Sequence, residues 1–303
     1  MSGIVREVTI GDCRLILGDC REVLPDLPMV DAVIVDPPYS KRCHDGHDSA
    51  GANDCQRSKL GYEHLTEEDV KNLATEYALH CKGWIAWMTD SDLALCVRNA
   101  LSAAGRYSFA PLPFYQPGRS VRLSGDGPCS WTDLIVVGRT TSQVKWGTLP
   151  GGYVAGAGWN DKARMGGKPT HLMRALVSDY SRPGDLVLDT HMGAGTTGVA
   201  CALEGRRFIG VEIVPEAFDI ACERIENAYP PSADVPSDKA RESASKQPSG
   251  GNGMIRLSIG HPARVIGMDS ASSIVGCVWR NGGIVYALRG VAGVWPNWLV
   301  VAA

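Results

Sequence analysis

Four short apolar runs, each closed by an acidic residue, set the tightest limit on how this chain can fold. Arg14-Leu15-Ile16-Leu17 runs into Gly18-Asp19, Asp31 to Val35 into Asp36, Asp185 to Leu188 into Asp189, and Arg207 to Val211 into Glu212. The 31–35 run is continuous and β-branched, the pattern of a strand buried on both faces. Trp84 to Met88 and Leu134 to Val137 read as further buried strands. Helical periodicity fills 67–81, 91–104, 169–181, 196–204 and 215–228. Alternating strands and helices predict an α/β fold, a mostly parallel sheet with helices on both faces. Such sheets bind ligands beyond the carboxyl ends of their strands. All four acids are predicted to stand there.

The rest of the chain divides by composition. Residues 1–228 hold every strand and helix named above. Residues 229–253 are rich in Pro, Ser and Gly and read as a linker. Residues 254–303 have no Lys and no Glu and alternate like short strands. This small C-terminal appendage reads as a β module, a homodimer surface or a segment unrelated to activity, and the sequence does not choose among them. The whole chain is 44% hydrophobic and 21% charged, which excludes disordered, collagenous and coiled-coil classes. Its net charge of −3 means that a nucleic-acid partner must be met by a local basic patch. The ten cysteines form no CxxC pair and no secretory leader is evident, so a cytoplasmic protein with reduced thiols is expected. No stretch reads as a membrane span; 284–303 is interrupted by Arg289, Pro296 and Asn297.

Two motifs carry chemistry. Gly193-Ala194-Gly195-Thr196-Thr197-Gly198 satisfies GxGxxG between a strand and a helix. Glu212 follows about 20 residues later, where an acid can accept from ribose hydroxyls. Alone, this loop points to a nucleotide-type cofactor and leaves NAD open. Asp36-Pro37-Pro38-Tyr39 follows a buried strand. Two prolines fix a rigid turn and remove backbone donors. The turn offers a carboxylate, free carbonyls and an aromatic ring, a set suited to a flat heterocycle bearing an amino group.

Together these motifs resemble the DNA amino-methyltransferases that use S-adenosylmethionine, in the order where DPPY precedes the glycine loop. The resemblance spans roughly residues 10–228. It is carried by Leu17-Gly18-Asp19-Cys20, Val35 to Tyr39, Gly167-Lys168-Pro169, Leu188 to Thr197 and Phe208 to Glu212. It implies a Rossmann-like methyltransferase fold and methyl transfer to adenine N6 in DNA, with cytosine N4 as the alternative. It also implies roles. Asp36 accepts from the target amine with the Pro37 carbonyl, Pro38 holds the turn, and Tyr39 stacks on the base. Asp19, Cys20, Asp36, Asp189, His191 and Thr196 line the cofactor, and Glu212 holds its ribose. Gly193 and Gly195 admit its methionine part, and Lys168 pairs with its carboxylate. His191 stands where the family usually has Phe.

Other residues compete for attention. Cys43, His44, His47 and Cys55 follow the DPPY turn, but their spacing fits no standard zinc pattern. Residues 116–170 carry seven Lys and Arg against three Asp and Glu, with Trp146, Tyr153 and Trp159 interleaved. An insert at about 112–167 is therefore the expected DNA-contacting segment. Rival classes are an NAD-dependent oxidoreductase, which has no use for DPPY, and an inactive nucleic-acid-binding module, which has no need of intact acids.

Overall fold

In a computed structural model, the chain is described at residues 3–43, 63–118, 128–142, 146–155 and 167–229, together with the backbone of five strands between 262 and 302. It divides into two compact units, Met1–Ser232 and Ala233–Ala303.

The first unit is built on ten strands: β1 Ile4–Ile10, β2 Cys13–Gly18, β3 Val30–Val35, β4 Cys81–Thr89, β5 Tyr107–Ser108, β6 Leu112–Tyr115, β7 Thr132–Arg139, β8 Tyr153–Val154, β9 Leu186–Asp189 and β10 Arg207–Glu212. The helices are α1 Cys20–Val23, α2 Glu67–His80, α3 Ala94–Ala103, α4 Thr170–Tyr180, α5 Thr196–Glu204 and α6 Pro215–Glu226. The strands lie in the order β1-β2-β10-β9-β3-β4-β7-β6-β8, with β5 pairing on β7. From β2 to β4 every pairing is parallel. The flanks depart from that: β1 runs antiparallel to β2, and β7 antiparallel to β4.

Side-chain alternation explains the two covered faces. On β3, Ala32 and Ile34 join the core beneath α4, α5 and α6, while Val33 and Val35 join the core beneath α2 and α3. All four are fully buried. At about 1.5–3 kcal/mol for each large aliphatic side chain, this double burial is what a parallel strand needs to be stable. The fold is thus α/β with a mostly parallel sheet and helices on both faces. Local signals set the helix ends. Thr66 and Asp69 form a reciprocal capping box at the start of α2. Left-handed glycines, Gly195 and Gly205, bracket α5.

In the second unit, five strands pair antiparallel in the order β14-β13-β12-β11-β15: β11 Pro262–Val265, β12 Ala271–Arg280, β13 Gly283–Leu288, β14 Val294–Pro296 and β15 Val300–Ala302. Among the described residues, no helix is long and apolar enough to cross a membrane.

Tyr229 closes the first unit. Its hydroxyl accepts from the Asp12 N–H at 3.0 Å, and its ring covers Gly11, the turn between β1 and β2. A chain ending at Ser232 should therefore melt cooperatively, and one ending at Ala228 should be less stable by roughly 1 kcal/mol or more. Urea unfolding of the two chains checks this; equal midpoints would show that Tyr229 contributes nothing.

Candidate active site

The carboxyl ends of β2, β3, β9 and β10 open into one cavity of roughly 660 Å³. Asp19, Asp36, Asp189 and Glu212 all line it, as the sequence predicts. So do Cys20, Pro38, Lys168, His191, Gly193 and Thr196. Pro37 is buried behind the turn. Gly195 serves packing: its φ is +77°, and a Cβ there would stand 2.8 Å from Ala221 Cβ on α6.

Three of the four acids, Glu212, Asp189 and Asp19, accept backbone N–H groups at this rim. Glu212, nearly buried, accepts from the Gly193 N–H at 2.7 Å and from the Val214 N–H at 2.8 Å, one bond to each oxygen. This pins the glycine loop to the end of the neighbouring strand. Asp189 accepts from the His191 N–H at 3.0 Å and from Thr197 Oγ1 at 2.5 Å. Burial raises its carboxyl to about 7. Asp19 caps α1 by accepting from the Arg21 N–H at 2.9 Å and pairs with the Arg21 guanidinium at 2.6 Å. Those hydrogen bonds from Arg21 hold its carboxyl below the usual range.

Gly193 is the bare spot of the loop. Its φ is +54°, and no atom lies within 4 Å of where a Cβ would point. A ligand can therefore lie directly on that backbone. The remaining lone pairs of Glu212 can accept ligand hydroxyls.

His191 is tied in place. Its Nδ1 lies 2.9 Å from Thr190 Oγ1, which in turn lies 2.5 Å from the Tyr77 hydroxyl, and its Nε2 lies 3.8 Å from Cys20 Sγ. Burial lowers the imidazole to about 4, so it is a neutral flat ring at pH 7. Burial also pushes the Cys20 thiol up to about 12, which makes it inert.

The DPPY turn leaves β3 beside this loop. Lys168 puts its ammonium 2.9 Å from Asp36 Oδ1 and 4.7 Å from the centre of the Tyr39 ring. Burial pushes the Asp36 carboxyl up, and Lys168 opposes that. Two residues missed by sequence reasoning complete the turn. Asp90, at the end of β4, accepts from the Ser40 N–H at 3.0 Å and from Ser40 Oγ at 2.5 Å, fixing the exit from Tyr39. Asp133, on β7, stands 3.7 Å from Lys168. Their only signal was an acid at a strand end, in Thr89-Asp90, or inside an apolar strand, in Thr132-Asp133-Leu134.

Among the described residues no cluster of His, Cys, Asp and Glu is arranged to hold a metal. His44, His47, Cys55 and Trp159 lie outside the described residues. Trp146 and Tyr153 turn inward, donating to the Asp179 carbonyl at 2.7 Å and the Asp179 carboxylate at 2.8 Å.

Comparison with known proteins adds to this geometry. Residues 156–223 match the family model described as DNA methylase. The chain is 45% identical over 58 residues to Type II methyltransferase M.Cfr9I of Citrobacter freundii, covering 19% of each chain. It is 39% identical over 67 residues to the DNA adenine methyltransferase YhdJ of Escherichia coli, covering 22% of this chain and 23% of that one. These matches span about a fifth of the length of the relatives. In three dimensions the chain has the fold of M1.HpyAVI in its complex with SAM, with a TM-score of 0.54, 20% identity and coverage of 70% of this chain and 98% of that one.

The neutral His191 sets an acid limit on stability. The unfolded imidazole binds a proton near pH 6.5, whereas the folded one does so only near 4. The unfolded state thus holds more protons between these values, and stability falls as pH drops from 6.5 towards 4. His191→Phe should narrow the gap in urea midpoint between pH 5 and pH 7.5. An unchanged gap would show that this ring is protonated in the folded protein.

Proposed function

We propose that this chain transfers a methyl group from S-adenosylmethionine to the N6 of adenine in DNA. The observation that carries the reading is the meeting of two motifs in one cavity. The DPPY turn and the glycine loop, distant in sequence, open side by side on adjacent strands β3 and β9. The match to DNA methylases supports methyl transfer, and the likeness to YhdJ supports adenine. A carboxylate at position 36 favours adenine over cytosine N4, whose enzymes more often place Ser there.

The residues fit this cofactor. The bare backbone at Gly193 suits its methionine part, Glu212 its ribose, and the partly buried Asp19 its adenine amino group. The flat neutral ring of His191 would lie against it when bound, with Cys20, Asp189, Gly195 and Thr196 shaping the cavity around it. When bound, S-adenosylmethionine supplies an electrophilic methyl group on a positively charged sulfur.

The chain's own residues prepare the acceptor. An aromatic amine is a weak nucleophile because its lone pair is shared with the ring. Asp36 and the Pro37 carbonyl accept its two hydrogens and favour a tetrahedral nitrogen with its lone pair free. Pro38 and the Asp90 clamp keep those acceptors fixed, so positioning and electrostatics supply the catalysis. Asp36 also receives the proton that the methylated nitrogen sheds. Stacking on Tyr39 stabilises a base flipped out of the duplex, which costs a few kcal/mol. The reading places the protein in the cytoplasm with DNA as its partner, and includes a homodimer, which light scattering checks.

Purified protein, DNA and S-adenosylmethionine should yield N6-methyladenine in digested nucleosides by mass spectrometry. N4-methylcytosine alone would overturn the choice of base, and no methylated base would overturn the reading. Asp36→Ala should abolish transfer while cofactor affinity changes little; near wild-type turnover would refute the role of the turn. Glu212→Ala removes an anionic acceptor and should weaken cofactor binding by about ten- to a hundredfold in calorimetry. An unchanged dissociation constant would refute the ribose site.

A further inference from the structure

Lys168 stands between two carboxylates from separate strands. Asp36 Oδ1 is 2.9 Å from its ammonium and Asp133 Oδ2 is 3.7 Å away. All three side chains are largely shielded, with 9% of Lys168, 21% of Asp36 and 7% of Asp133 exposed. The same ammonium lies over the Tyr39 ring. Lys168 therefore makes the two contacts that the target base is to make, one to Asp36 and one to Tyr39.

A base cannot take those contacts while the ammonium holds them. Nor can a shielded ammonium leave Asp36 for a place without counter-charge, because a stripped cation in a low-dielectric site is strongly unfavourable. Asp133 offers that counter-charge slightly farther off. It is fixed on β7, opposite Phe114 of β6, and Gln116 Nε2 donates to its Oδ2 at 3.1 Å. A lysine suits such an exchange, since its ammonium is a point charge on a flexible stem.

We propose that Asp133 is a positioning residue that takes Lys168 over from Asp36 when a base enters the site. Asp36 is thereby released to accept from the target amine, and the ammonium never loses its counter-ion. The inference rests on the methyl-transfer reading above, with Asp36 as acceptor. It gives Lys168 a duty towards the base, beyond any bond to a cofactor carboxylate. No covalent step is involved; one ion pair is exchanged for another.

The test is a double-mutant cycle on the full chain, measuring kcat, KM for DNA and cofactor affinity. Asp133→Asn removes the second anion and should hold Lys168 on Asp36. Turnover should fall by about tenfold and KM for DNA should rise, with cofactor affinity nearly unchanged. Adding Lys168→Gln removes the ammonium that must be displaced, so the double variant should recover several-fold over Asp133→Asn. A double variant as poor as the product of the single losses, or worse, would overturn the proposal. Should Asp133→Asn fail to melt cooperatively, Lys168→Arg decides. A planar guanidinium spans both carboxylates at once and resists transfer, so turnover should fall although the charge is kept. Lys168→Arg at the wild-type rate would overturn the proposal. A wild-type protein that methylates no DNA refutes the reading and the exchange together, and does so in the control arm alone.

Discussion

The site depends on one repeated bond, a strand-end carboxylate accepting backbone N–H groups from its own loop or from the loop of another strand at the same rim. Glu212 takes Gly193 and Val214, Asp189 takes His191, Asp19 takes Arg21, and Asp90 takes Ser40 and Leu93. Parallel strands that end at one rim leave their connecting loops with donors turned inward. Buried donors must be paired, and an ionised acceptor makes the stronger bond. The acids at the rim are therefore structural first. That duty leaves spare lone pairs facing the cavity, which is why the same residues can serve a ligand.

Concentrating carboxylates at one rim has an electrostatic cost, and the chain meets it in two ways. Asp189 is buried with its bonds directed at its own loop, and its raised pKa shows a carboxyl that ionises reluctantly. Asp36 faces the cavity and keeps a cation beside it. The difference follows from position: the loop after β9 supplies donors, whereas the double proline after β3 supplies none. The double proline supplies no backbone N–H, so the charge of Asp36 is met by the ammonium of Lys168 instead.

The parallel core and most of the site were legible in the sequence because they rest on local pattern. β3 reads as a strand from its own β-branched run, and α5 as a helix from its periodicity after the glycine loop. Of the flanking strands, β7 was legible in Leu134 to Val137, whereas β1, β5 and β8 were not. β1, Ile4–Ile10, is mostly exposed and is interrupted by the adjacent charges Arg6 and Glu7, and β5 and β8 are two residues long. Such elements exist because a neighbour offers an open edge, which a window of sequence does not show. The same holds for Asp133. Nothing near it marks a site; its meaning comes from β7 pairing beside β4 and carrying it to Lys168, thirty-five positions on. The inward turn of Trp146 and Tyr153 is a third case, since aromatic residues among glycines also suit a surface loop.

The order of the strands explains why neither motif acts alone. β3 from the first half of the unit lies between β4 and β9, and β2 lies against β10 from the second half. Asp31, at the start of β3, accepts from the Leu186 N–H at 2.9 Å and so sets the register with β9. The cavity is walled by both halves and exists only when they interleave. The DNA methylase match falls on the glycine half. The facing wall of the cavity comes from a turn more than a hundred residues earlier, placed by that pairing. A shift of one residue between β3 and β9 would turn Val33 and Val35 to the opposite core and carry Asp36 away from Lys168. Core packing on both faces of β3 thereby fixes the geometry of the cavity, and the site is as well defined as the sheet beneath it.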